Sequence, residues 1–170
     1  MKAYIASSWS NEEQGKVVSL CRGLGIDTYD FKSPPNGEPF SWKATAYPGV
    51  NYKEWTLQQY LEALRHPRAV EGFHSDMDAL KECDICILVF PAGVSASLEF
   101  GFAVGAGKQT AVVGMPREAD LMVKMADFYA PSMNALEEFL VRRLRAACHI
   151  ARNFAPVGEQ HERRTPEVKP

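Results

Sequence analysis

Two acidic side chains, Asp76 and Glu99, stand out as candidates for chemistry. Glu99 lies in the stretch Asp84 to Lys108, where a short apolar run, Ile85 to Phe90, reads as a buried parallel strand. Pro91-Ala92-Gly93 stops the strand, and a helix is expected from near Ser95 with Glu99 in its first turns. Open α/β sheets bind small ligands just beyond the C-terminal ends of central strands. The positive end of the helix dipole is expected to favour an ionised Glu99, and a carboxylate so placed suits nucleophilic attack. A surface helix with a favourable dipole contact is the plainer alternative. Against it, Leu98, Phe100, Phe102 and Val104 are apolar, and Gly101, Gly105 and Gly107 carry no side chains. Such a helix is expected to be buried on most sides, and a lone glutamate within it needs a reason.

Asp76 belongs to the preceding helix. There Val70, Phe73, Met77 and Leu80 form an apolar stripe at helical spacing. At about 100° per residue, Asp76 falls roughly 40° from one edge of that stripe, and Asp78 farther towards solvent. Partial burial near a second carboxylate raises a carboxyl pKa, as a general acid requires. A cap on a neighbouring loop is the alternative role for Asp76.

Other motifs carry less. Cys83 and Cys86 form a CxxC, but at a helix-to-strand entry and without a second ligand pair, so buried reduced thiols are expected. His66, His74, His149 and His161 have no metal spacing, and no metal or cofactor is expected. Gly101, Gly105 and Gly107 lie inside the helix rather than in the turn before it. That placement reads as close helix packing, not a dinucleotide site, and no Walker phosphate-binding motif is present. A formal charge of −2 on 170 residues gives no reason to expect nucleic acid or an anionic membrane as partner. No apolar stretch approaches a membrane span and no signal-peptide pattern is visible, so a cytoplasmic protein is expected.

The elements that must position these residues alternate. Strands are expected at 3–7, 26–31, 84–90, 109–114 and 127–130. Helices are expected at 11–24, from Thr56 to about His66, at 68–83, 95–107 and 118–126, and from a Ser132 cap to about 153. This pattern implies an α/β fold, a doubly wound five-stranded parallel sheet of flavodoxin-like order 2-1-3-4-5 with helices on both faces. The switch point then lies between strands one and three, where the turns after Ser7 and Pro91 line one crevice. Residues 1–153 are expected to form one domain, and the proline-rich, charged 154–170 a disordered tail. The loop 32–54 is long and holds Phe40, Trp42, Tyr47 and Tyr52, with Trp55 just beyond it. Long loops in compact domains are usually functional, and Phe40, Trp42 or Trp55 could stack on a base or pin the loop as a satellite core.

Three pieces together give a resemblance: Tyr4-Ile-Ala-Ser-Ser-Trp9, Asp76 followed by Asp84 at the strand entrance, and Leu98-Glu99-Phe100-Gly101-Phe102-Ala103 with the later Gly107-Lys108. Over about residues 3–140 the chain resembles the nucleoside 2-deoxyribosyltransferase superfamily, including its related nucleoside 5'-monophosphate N-glycosidases. The resemblance implies cleavage of the N-glycosidic bond of a nucleoside or nucleotide. It implies Glu99 as nucleophile at C1', Asp76 as the group handling the proton on the base, and Tyr4 as the residue orienting Glu99. Ser7, Trp9, Phe40, Trp42, Gly93, Ser95 and Ser97 are expected near substrate from their places on the crevice turns and the loop, and the resemblance has Asp120 or Met122 complete the site of a neighbouring subunit in a homo-oligomer, a dimer or tetramer. The apolar helix 95–107, with Leu121, Met122, Met125 and Phe128, independently suggests such an assembly. In one respect the chain departs from the family. Its transferases usually place another acidic residue between strand three and the nucleophile, where this chain has Gly93-Val-Ser-Ala-Ser97. Serines and free backbone N–H groups there suit a phosphate, and favour nucleotides and hydrolysis. Two other functions are compatible with the same elements: a non-catalytic nucleotide-binding or sensor module, and an NAD-cleaving domain of the Toll/interleukin-receptor type.

Overall fold

The computed structural model describes residues 1–35, 37–45, 47 and 50–153, with the backbone alone for 150–153. The expected tail, 154–170, lies outside the described residues. The elements run β1 (Lys2–Ser7), α1 (Glu13–Gly23), β2 (Asp27–Tyr29), α2 (Leu57–Leu64), α3 (Pro67–Glu82), β3 (Ile85–Val89), α4 (Val94–Gly105), β4 (Gln109–Val113), β5 (Phe128–Ala130) and α5 (Met133–Asn153). All strands pair in parallel in the order β2-β1-β3-β4-β5, the arrangement expected from the sequence.

Alternation along the strands divides the core. Ala3, Ile5, Ile85, Ile87 and Val89 face one side, where Val17, Val18 and Cys21 of α1 and Leu136 and Leu140 of α5 cover them. Tyr4, Ala6, Cys86, Leu88 and Val112 face the other, beneath Leu80 of α3 and Ala96, Phe100 and Ala103 of α4. A side chain on β1 reaches α3 and α4 only from an even-numbered position, and that parity decides which face can hold the chemistry.

Several local expectations change. The segment 118–126 holds a 3-10 helix, Leu121–Met125, rather than an α-helix, and β2 is three residues long rather than six. The loop 32–54 contains two further 3-10 turns, Trp42–Ala44 and Tyr52–Glu54. Thr56 starts α2 with a full capping box to Gln59. The stripe on α3 is covered along only part of its length: Leu80 is buried, whereas Phe73 is 62% exposed. On α4, Val94 and Leu98 are 79% and 70% exposed, so this helix is not buried on most sides within one chain. Phe128 instead joins the α1/α5 core, stacked on Phe139 at 4.5 Å. Cys21, Cys83 and Cys86 are buried free thiols. No helix among the described residues is long and apolar enough to cross a membrane.

Candidate active site

The ends of β1 and β3 are tied together at the switch point. Ser7 Oγ donates to the Val89 carbonyl at 3.0 Å, and Ser8 Oγ to that of Pro91 at 3.0 Å. The Asn11 amide donates to both carbonyls, at 3.0 and 3.2 Å. The turn entering α1 and the turn entering α4 therefore form one edge of the crevice. Ser7 is buried and its proton committed, so it sets the geometry of this edge.

Tyr4 is buried beneath α3 and α4. In the β1–β2 register Tyr4 sits opposite Tyr29, and the two rings stack at 5.4 Å with 14° between their planes. Each phenol serves one carboxyl. Tyr29 donates to Asp76 Oδ1 at 2.8 Å and also meets Ser75 Oγ at 2.9 Å. The Tyr4 hydroxyl, inaccessible to solvent, completes no well-formed hydrogen bond, yet it lies near enough to Glu99 for its dipole to favour the ionised carboxylate. Burial first, then the fields of Glu99 and Asp76, push the Tyr4 phenol well above its ordinary range, so it remains a protonated donor.

Both carboxyls hold their protons more tightly than usual. Burial raises Glu99 to about 7, with the neighbouring Asp76 charge adding to it and Tyr4 opposing it. Burial also raises Asp76, against the Tyr29 hydrogen bond. The dipole argument for Glu99 is thus overturned. The helix starts at Val94, which puts Glu99 in the second turn. The dipole's influence fades beyond the first turn, and desolvation together with a like charge outweighs it. Asp76 is half-buried and Asp78 exposed, as the stripe geometry implied.

Beside Asp76 opens a cleft walled by Trp9, Tyr29, Phe31, Phe40, Ser75 and Asp76. Trp9 meets Phe31 edge-on at 5.2 Å. Phe40 seats directly on α3 at Gly72, where a Cβ would come within 2.9 Å of the Phe40 Cβ. Glu99 does not line this cleft; Asp76, which does, is the neighbouring charge that adds to the raised proton affinity of Glu99. Gly93 and Ser95 are exposed at the start of α4, which has no side-chain cap, while the Ser97 hydroxyl turns back to the Gly93 carbonyl at 3.1 Å. Asp120 caps the 3-10 helix through the Met122 N–H at 2.7 Å, and Met122 is exposed. Neither walls the cleft of its own chain.

The loop aromatics divide into two roles. Trp42 sits in a cluster with Phe40 at 4.9 Å, Trp55 at 5.7 Å and Tyr60 at 6.0 Å. Phe40 alone of Phe40, Trp42 and Trp55 reaches the cleft. Phe40→Ala is therefore expected to raise KM about tenfold with a small change in melting temperature, through loss of a ring worth on the order of 1–3 kcal/mol to a stacked base. Trp42→Ala is expected to lower the melting temperature, with a smaller KM effect. Steady-state kinetics and thermal melts on both variants check this division.

Tyr29 is the residue that sequence reasoning missed. Its place follows from the register, not from a local pattern: strand two pairs in parallel with strand one, and a tyrosine opposite Tyr4 shares its face. Among the described residues no cluster of histidine, cysteine and carboxylate could hold a metal ion.

No family model matches the chain, and no curated protein matches it by sequence. Its fold matches solved structures. One is the 2-deoxyribosyltransferase from the psychrotolerant bacterium Bacillus psychrosaccharolyticus, at 21% sequence identity over 81% of this chain and 90% of that one, with a TM-score of 0.55. The two proteins share an architecture: a five-stranded parallel sheet with helices around it.

Proposed function

We propose that the chain belongs to the nucleoside 2-deoxyribosyltransferase superfamily and cleaves the N-glycosidic bond of a nucleoside or nucleoside 5'-monophosphate by double displacement. The observation that carries this reading is the pair of proton-retaining carboxyls, Asp76 and Glu99, held by stacked tyrosines beside an aromatic cleft. Ionised Glu99 attacks C1', and the C1'–N bond breaks with its electron pair passing to the base. Protonated Asp76 gives its proton to that base, which leaves neutral. The glycosyl ester on Glu99 is then opened at C1' by a second base or by water, whose proton returns to Asp76. Tyr4 supplies a donor to the Glu99 oxygen that does not attack. The Tyr4 hydroxyl completes no hydrogen bond in the structure, and catalytic contacts commonly tighten only around the reacting groups.

Burial raises the proton affinity of both carboxyls, and the charge of Asp76 couples the titration of Glu99 to its own. The working form carries the proton on Asp76 and the charge on Glu99. The uncapped start of α4, with Ser95 exposed beside it, favours a 5'-phosphate on the sugar over a bare hydroxyl. Incubation with deoxynucleosides, their 5'-monophosphates and NAD, with and without a second base, tests the reading. Release of a nucleobase is the expected result. Binding without release would favour the sensor module, and release of nicotinamide the NAD-cleaving alternative.

The protein is further proposed to work as a homo-oligomer. Val94, Leu98 and Phe102 form an exposed row on α4. The 3-10 helix, which packs Val123 onto the same side of the sheet, exposes Leu121, Met122 and Met125. Apolar area of this kind is covered in closed symmetric assemblies. Light scattering is expected to give a dimer or tetramer, and Leu98→Glu to shift it towards monomer. A wild-type monomer with full activity would remove both the assembly and any contribution of Asp120 or Met122 to a neighbour's site.

A further inference from the structure

The phenol of Tyr29 has one proton, and its short contact with Asp76 uses it. With Oδ1 of Asp76 accepting that proton at 2.8 Å, the contact at 2.9 Å to Ser75 Oγ runs the other way: Ser75 donates and the Tyr29 oxygen accepts. The chain is therefore directional, from Ser75 through Tyr29 to Asp76. It ends on one carboxyl oxygen, and a proton held by Asp76 belongs on the other, Oδ2. Tyr29 is in turn fixed by its stack on Tyr4 and by the in-register pairing of β1 with β2. Because Tyr4 lies beside Glu99, the two paired tyrosines place the two carboxyls relative to each other.

We propose that Tyr29 is a positioning residue, which occupies Oδ1 of Asp76 and thereby leaves Oδ2 for the transferable proton. The inference rests on the proposed function for its catalytic meaning, while the effect of Tyr29 on the titration of Asp76 can be measured without it. The groups facing Asp76 are few. Tyr29 approaches from β2 and Tyr4 from β1, Glu99 approaches from α4, and Ser75 lies on α3 itself. Arg68 and Glu71 on α3 also line the cleft, but they pair with each other at 2.8 Å, and Glu38 lies on the loop wall. None of these three contributes to the raised affinity of Asp76, which burial sets and Tyr29 opposes. The Tyr29 phenol is itself pushed up, by burial first, so it remains a donor throughout the neutral range.

Tyr29→Phe removes the hydroxyl and keeps the stacked ring. Carbon-detected NMR titration of the Asp76 carboxyl in the full-length protein is expected to show its midpoint at higher pH in the variant, since a stabiliser of the ionised form is lost. Ser75→Ala should move it the same way by less, because a phenol relieved of its own donor is a weaker one. With base release as a second readout, Tyr29→Phe should lower kcat on the order of tenfold, a fraction of the contribution of a general acid. It should also carry the alkaline limb of the pH–rate profile upward. A merely structural tyrosine would scale the profile down without moving that limb. An unmoved Asp76 midpoint in both variants would overturn the inference. A wild-type protein that releases no base would overturn the proposed function and leave the titration to decide on Tyr29. If Tyr29→Phe fails to fold, Ser75→Ala alone decides.

Discussion

Glu99→Gln is expected to reduce base release on the order of 10⁴-fold or more, as loss of a covalent nucleophile does elsewhere, while raising the stability of the protein at alkaline pH. The two effects have one cause. Glu99 has a raised folded-state pKa, about 7 against an ordinary value of 4.5. Between those values the folded protein binds more protons than the unfolded chain, so stability falls as pH rises from about 4.5 to about 7. Above that window the buried charge costs up to roughly 3 kcal/mol. Glutamine keeps the shape and removes the charge. Thermal melts at pH 5 and pH 8 should show the wild type losing stability between them and the variant losing less. Base-release assays on the same samples read the chemistry. A Glu99→Gln protein that turns over at the wild-type rate would remove Glu99 from the mechanism.

Asp76→Asn is expected to cost 10²–10⁴-fold in kcat, the usual contribution of a positioned general acid. The loss should be smallest for bases that leave readily without protonation. The variant also makes a signed pH prediction. The Asp76 charge is the second cause, after burial, of the raised Glu99 proton affinity. That charge is absent while Asp76 holds its proton, as it does across the acidic limb, and asparagine is neutral as well, so the acidic limb of kcat/KM, which reports Glu99, should stay in place. The alkaline limb, which reports deprotonation of Asp76, should disappear. Profiles over pH 5–9 with a good and a poor leaving base measure both. Identical losses for the two bases, with the alkaline limb retained, would assign Asp76 to substrate binding instead of proton transfer.

Much of this architecture was legible because periodicity and punctuation act locally. Five apolar runs separated by helical patterns imply a parallel sheet. Asp76 could be placed at the margin of the α3 stripe by counting residues, since a helix advances about 100° per residue wherever it packs. The expectation for α4 was less accurate for an equally physical reason. Apolar composition records that a helix face avoids water, and it does not record whether its own sheet or another surface covers it. Hence Leu98, expected inside, lies exposed. Among the loop aromatics the choice between stacking and packing also lay beyond composition, since it depended on Gly72 of α3 leaving room for Phe40.

The sequence by itself determined the alternating α/β pattern, the two carboxyls and the strand ends at which a small ligand would bind, because these follow from patterns within single segments. The order of the strands, one choice among doubly wound arrangements, was decided by the structure. Only the tertiary structure decided the electrostatics and the company of those carboxyls. Whether Glu99 is ionised depends on a competition between a dipole confined to one helical turn and a desolvation fixed by everything packed around it, and desolvation wins. Tyr29 sits 47 residues from Asp76 in a strand of only three residues. It becomes Asp76's partner because parallel register sets it against Tyr4, a long-range pairing that no local pattern encodes.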